Sequence, residues 1–188
     1  MTTGHVYIAA SLDGFVARSD NRIDWLDRVP MPADGGDMGF AAFMDSVDGL
    51  VMGRATFETV LGFDVDWPYT KPVVVVGRSM TAAVLPKALD GKVEVSALRP
   101  KELMEQLGQR GWKRAYVDGG RLVQAFLREG LIEDMVITTI PVLLGEGKPL
   151  FGPLDADVDL ELLRSDAFDN GMVQTHWRLL HKPIERAD

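Results

Sequence analysis

The chain has 188 residues, with 28 acidic and 20 basic side chains, a formal charge of −8 and no cysteine. That length suits one domain, here residues 1–188, with a well-buried core. The acidic balance argues against a nucleic-acid partner, and the lack of Cys excludes disulfides, thiolate nucleophiles and thiolate metal sites.

Met1 to Ala10 has no basic region and meets Asp13 early, unlike a signal peptide. No apolar run approaches the roughly 18 residues of a membrane span, so a cytoplasmic protein with no membrane partner is expected. His5 to Ala10 reads as a strand closed by the turn Asp13-Gly14. Asn21 to Gly36 is loop-like. Asp37 to Ser46 carries Phe40, Phe43, Met44 and Val47 at helical spacing. Gly49 to Gly53 is a buried strand that runs into a short helix over Arg54 to Leu61. Pro72 to Val76 is a β-branched strand.

Val93 to Ala97 is a further strand. Pro100 opens a helix with Leu103, Met104 and Leu107 on its apolar face. Arg114 to Val117 is a strand ended by Asp118-Gly119-Gly120. Leu122, Val123, Phe126 and Leu127 mark the next helix, and Asp134 to Leu144 a long strand. Leu160 to Phe168 and Met172 to Leu180 flank Asn170-Gly171, a strong hairpin signal. Alternating β and α elements with a terminal hairpin predict an α/β fold. Its sheet is mostly parallel with an antiparallel edge, and helices cover both faces.

Three glycine-bearing strand ends carry the candidate chemistry. Gly53-Arg54-Ala55-Thr56 places Gly, Arg and Thr where a strand turns into a helix, a setting that binds anions. Gly77-Arg78-Ser79 repeats the pattern after another strand, and Arg suits a ribose 2′-phosphate. Gly119-Gly120-Arg121-Leu122 lets the backbone approach a pyrophosphate at a helix start. Three such termini favour a dinucleotide, although the G-x-G-x-x-G fingerprint and the P-loop are absent. His5, His176 and His181 lack metal-ligand spacing and read as structural or surface residues, so no metal is expected. Asp13 reads as a turn residue. Asp37 reads as a helix cap or as an acid at the lip of an apolar pocket, where its pKa would be raised.

Ala10-Ser11-Leu12-Asp13-Gly14, Met52-Gly53-Arg54-Ala55-Thr56-Phe57, Asp118-Gly119-Gly120 and the run from Pro141 to Phe151 together resemble the dihydrofolate reductase superfamily. The closer resemblance is to the branch containing the reductase domain of the riboflavin-pathway deaminase-reductase. It implies a sheet of about eight strands and NADPH as cofactor. By resemblance, Arg54 and Thr56 look like NADPH phosphate contacts, and Gly53 belongs to the same motif. Gly77, Arg78 and Ser79 resemble the grip on the 2′-phosphate. Gly119 and Gly120 look like the pyrophosphate-facing pair, often joined by a cis peptide in that family, with Arg121 and Leu122 following. Ala10 resembles the strand residue whose backbone holds the nicotinamide. Asp37 lies where the pterin-binding acid is placed and is the expected catalytic proton donor. Phe40 stands on the next turn of its helix. Trp25 resembles the Trp of a mobile loop, and Thr138 a pocket threonine beside the acid.

The riboflavin-pathway domains usually carry Lys where this chain has Phe15. The resemblance implies an NADPH-dependent reductase of a pterin- or pyrimidine-like heterocycle, most similar to 5-amino-6-(5-phosphoribosylamino)uracil reductase, and a homodimer. The alternatives are a dihydrofolate reductase-type activity and a non-catalytic NADPH-binding module.

Overall fold

The computed structural model describes residues 1–33, 36–77 and 85–180. Ten strands and four α-helices follow the expected order: β1 (Thr3–Ser11), β2 (Phe15–Ala17), α1 (Phe40–Ser46), β3 (Gly49–Gly53), α2 (Arg54–Leu61), β4 (Val73–Val76), β5 (Val93–Ser96), α3 (Pro100–Gln109), β6 (Arg114–Asp118), α4 (Gly120–Arg128), β7 (Ile132–Ile140), β8 (Lys148–Pro149), β9 (Asp159–Ala167) and β10 (Val173–Leu180). Eight of the strands form one sheet in the order β5-β4-β3-β6-β1-β7-β10-β9. The six from β5 to β7 run parallel, and β10 pairs antiparallel with both β7 and β9.

The alternation of β1 sorts the core into two layers. Val6, Ile8 and Ala10 face Leu103, Met104 and Leu107 of α3 and Leu122, Val123 and Phe126 of α4. Tyr7 points the other way, toward Phe40 and Phe43 of α1 and the layer containing Phe57 of α2. Helices therefore cover both faces, as α/β patterning demands. Three of the four valines of β4 are buried. That fits a strand with neighbours on both sides and a helix layer over it.

Three local expectations need correction. Helix α1 begins at Phe40 rather than Asp37, because Met38 (φ 56°) and Gly39 (φ 88°) both take the left-handed conformation and reverse the chain first. Strand β7 ends at Ile140 rather than Leu144. Pro141 has no N–H for the ladder, and the Asp13 carboxylate accepts the N–H groups of Leu144 (3.1 Å) and Gly145 (2.7 Å). The sequence reading also missed β2 and β8, which pair as a separate two-stranded ribbon. At the terminal hairpin Asn170 Oδ1 accepts the Met172 N–H at 3.0 Å and Gly171 sits at φ 84°, as the Asn-Gly signal requires.

Candidate active site

Strands β4, β3, β6 and β1 lie side by side, so their carboxyl ends form one edge. In register, Gly53 stands opposite Val76 and Met52 opposite Asp118. The glycine-bearing ends at Gly53, Gly77 and Gly119 are thereby neighbours. Ligands of open α/β sheets bind at such an edge. Strand β3 runs directly into α2 and β6 almost directly into α4, which puts two helix N-termini there. Gly119 has φ 103°, and a Cβ on it would collide with the Thr56 hydroxyl. At Gly53 the direction a Cβ would take is open among the described residues, with none of their atoms within 4 Å. Gly53, Thr56 and Gly119 form a cradle in which backbone comes within reach of an anion. This suits a pyrophosphate.

Other expected cofactor contacts are placed differently. Arg54 is exposed at the start of α2, and its Nε donates to Glu58 Oε1 at 2.6 Å. Arg121 is exposed on the first turn of α4. Leu122 is buried in the core and its N–H donates to the Gly119 carbonyl at 2.9 Å, so neither its side chain nor its amide faces the cradle. Gly120 backs onto the ribbon, since a Cβ there would meet the Pro149 carbonyl at 2.8 Å and Val16 at 3.1 Å. The described residues contain no cis peptide, so the Gly119–Gly120 bond is trans. Gly77 follows β4 and its N–H donates to the Ser96 carbonyl at 3.0 Å. Arg78 and Ser79 lie outside the described residues. The Ala10 side chain is buried among core residues, and Ala10 lies one residue before the carboxyl end of β1, opposite Thr139 of β7.

The expected substrate side also divides. Asp37 is exposed, and its two oxygens accept the N–H groups of Gly39 (3.0 Å) and Ala41 (2.6 Å). These backbone donors hold its pKa below the usual carboxylate value, the opposite of the raised value expected at an apolar lip. The reversal at Met38-Gly39 turns the acid back onto its own helix. Phe40 packs against Tyr7 with ring centroids 5.3 Å apart. Thr138 is buried and accepts from Gln174 Nε2 at 3.0 Å, and that amide also donates to the Tyr7 hydroxyl. Tyr7 in turn donates to the Met38 carbonyl at 2.9 Å. The link from Thr138 to the α1 segment thus runs through Gln174 and Tyr7, not through Asp37. Trp25 is fully buried with Ile140 and Met172, so it has no surface to lay over a ligand.

One acid at the edge escaped the sequence reading. Asp118 ends β6 beside the cradle, and burial pushes its pKa up to about 6 against the opposing Gly119 N–H and Tyr116 hydroxyl. Tyr69 and Tyr116 surround it, and burial raises both of their phenol pKa values, with the Asp118 charge adding to the shift. A carboxyl group poised near neutrality can hold or release a proton. The signal was present in Asp118-Gly119-Gly120, but burial of the acid is a tertiary property, and one of the phenols its charge acts on, Tyr69, lies 49 positions away in sequence.

Known proteins place this geometry. The sequence pattern of the RibD C-terminal domain matches residues 3–174. The chain is 33% identical over 172 residues to the uncharacterized protein YwjB of Bacillus subtilis, covering 92% of this chain and 95% of that one. It superposes on the crystal structure of a putative riboflavin biosynthesis protein from Shewanella sp. PV-4 with a TM-score of 0.89 and 41% identity, covering 96% of this chain and 100% of that one. With Acinetobacter baumannii RibD the TM-score is 0.71 at 19% identity, over 96% of this chain and 59% of that one, a likeness of fold. The eight-stranded sheet with its antiparallel hairpin is thus the dihydrofolate reductase-like fold of these reductase domains. By sequence and by architecture, the chain belongs to the RibD C-terminal domain family.

Proposed function

We propose that this protein is an NADPH-dependent oxidoreductase acting on a flat pyrimidine- or pterin-like heterocycle, most similar to 5-amino-6-(5-phosphoribosylamino)uracil reductase. The observation that carries the proposal is the convergence of Gly53, Thr56 and Gly119 on one edge beside the raised-pKa acid Asp118. The glycine backbones and the Thr56 hydroxyl would hold the pyrophosphate, with Arg54 and Arg78 toward the 2′-phosphate. The bound cofactor supplies a hydride. Asp118, not Asp37, is the group we assign to hold the proton that accompanies reduction, because burial keeps it partly protonated near neutral pH.

Phe15 replaces a cation, which favours a base-like heterocycle over recognition of a ribosyl phosphate. Phe15 lies on β2, paired with Pro149. Assembly as a homodimer belongs to the same reading. It is supported by the outer edge of β9, a nine-residue strand with exposed Leu160 and Leu162. Sedimentation at micromolar concentration tests it, and a monomer throughout would refute it.

The primary test is stopped-flow oxidation of NADPH against a panel of pterins and aminopyrimidines, comparing wild type with Asp118→Asn. Turnover on at least one compound, falling at least tenfold in the variant with NADPH affinity retained, supports the reading. NADPH binding with no turnover on any compound would favour the binding-module alternative.

A further inference from the structure

A second cavity lies away from the carboxyl edge, between α1 and the face formed by β7, β10 and β9. Its volume is about 330 Å³, at the small end of the range for ligand sites. On β7 it is lined by Asp134 and Val136, four and two residues before Thr138, so its floor lies toward the opposite end of the strand from the glycine edge, and Tyr7, Met38 and Gln174 of the link described above form its near wall.

The wall of this cavity is unevenly satisfied. Asp134 is the central carboxylate. Its Oδ2 accepts from His5 Nδ1 at 2.8 Å, and His5 is fully buried. Burial tends to raise the Asp134 pKa, but the His5 hydrogen bond and the charges of His5, Arg114 and His176 hold it below its ordinary value. His5 takes the hydrogen bond, and two neighbouring side chains, Arg114 and His176, approach Asp134 without making one. Arg114 Nη2 stands 3.7 Å from Asp134, and among the described residues Arg114 Nε is buried without a hydrogen-bond partner. His176 Nε2 is 3.5 Å from Asp134 Oδ1 and is also buried without a hydrogen-bond partner. The other two charged residues along its wall, Arg164 and Asp166, pair with each other, and the Asp37 charge reaches Tyr7 at the α1 side.

The opposite wall, from the α1 segment, is mainly apolar, made by Met38, Ala42 and Phe43, and Val136 adds an apolar patch beside Asp134. Arg114 Nε and His176 Nε2 are themselves covered, but both side chains line the cavity and are 40% and 36% exposed, so the rest of the guanidinium and of the ring is reachable. An under-bonded guanidinium beside an under-bonded imidazole suits an oxyanion. The apolar wall suits a hydrocarbon or aromatic body. We infer that this cavity is a second ligand site, for a small organic oxyanion, a carboxylate or a phosphate monoester, with the anion on Arg114 and His176 and its apolar body against Phe43. The inference does not depend on the reductase reading.

Histidine-detected NMR on the full chain tests it, because His5 and His176 report locally. Benzoate, phenyl phosphate and neutral benzamide are titrated to about 20 mM, a range that covers millimolar dissociation constants. A saturable shift of the His176 ring signals with benzoate, with phenyl phosphate or with both supports the site, provided benzamide gives none. Benzoate alone assigns a carboxylate ligand, and phenyl phosphate alone a phosphate ester. Arg114→Gln should weaken binding at least tenfold. Arg114→Lys, which keeps the charge but loses the fork, should weaken it less. Thermal melting first establishes that each variant is folded, and His176→Gln, read by calorimetry, replaces any that is not. No saturable response, an equal response to benzamide, or binding unchanged in every folded variant would overturn the inference. NADPH affinity, measured on the same samples, reports separately on the carboxyl-edge cradle.

Discussion

The Thr56 hydroxyl occupies the place that a side chain on Gly119 would fill. Two segments 63 positions apart in sequence are therefore fitted to each other at the base of the cofactor cradle. Gly119→Ala adds a methyl group at φ 103° and should cost roughly 1–3 kcal/mol of stability. Adding Thr56→Ala should recover the steric part but not the backbone part. Urea unfolding of the two single variants and the double variant measures this coupling. Simple additivity would mean that the two residues do not meet.

Asp118 should make stability depend on pH in an unusual direction for an acid. Its folded pKa, about 6, lies above the ordinary 3.8. Its protonated form is thus the one the fold prefers. The resulting stability is fully present below about pH 4 and is lost as pH rises through 6, a loss on the order of 2–3 kcal/mol. Asp118→Asn should therefore gain stability over wild type as pH is raised from 4 to 7. A difference in melting temperature that stays flat over that range would contradict the burial argument.

Arg54 is already bonded to Glu58 at 2.6 Å. Glu58→Gln should release it and tighten NADPH more than NADH. Wild type should prefer NADPH at least tenfold, given charge-assisted contacts of about 1.5–3 kcal/mol each. Arg78→Ala should erode that preference. Equal dissociation constants for the two cofactors would remove the 2′-phosphate assignment.

For Asp37 the expected outcome is a cap. Asp37→Asn should keep melting temperature and turnover near wild type, whereas Asp37→Ala should melt lower. The lowered pKa means the charged cap is intact at neutral pH and is lost only as pH falls below the ordinary carboxylate range. A fall in turnover of about tenfold or more in a well-folded Asp37→Asn would return the proton-donor role to this residue.

Most of the sheet was legible because its strands are short, apolar and punctuated. Gly49 to Gly53 and Arg54 to Leu61 have the expected limits, since a buried strand that turns directly into a helix leaves a sharp change of period. The meeting of the glycine-bearing strand ends at one edge was legible for the same reason. The choice between cap and acid at Asp37, and the setting of Trp25, were not legible because they depend on tertiary facts. One is a left-handed pair at Met38-Gly39 that turns the acid back onto its helix. The other is a satellite core, with Ile140 and Met172, that swallows the indole. His5 and His176 looked unrelated because Asp134, which both approach, comes from a third strand.

Asp13 ties the segment after β1 to the segment after β7 through Leu144 and Gly145. The β2–β8 ribbon then carries both across the start of α4, where Val16 and Pro149 crowd Gly120. The register of the ribbon therefore couples the two loops. A residue inserted between Gly14 and Ala17 would throw Pro149 out of step with Phe15 and pull on Gly120 at the rim of the cradle. Grafts and tags belong elsewhere, in the exposed stretch from Asp155 to Asp157, where nothing on the cofactor side is in register with them.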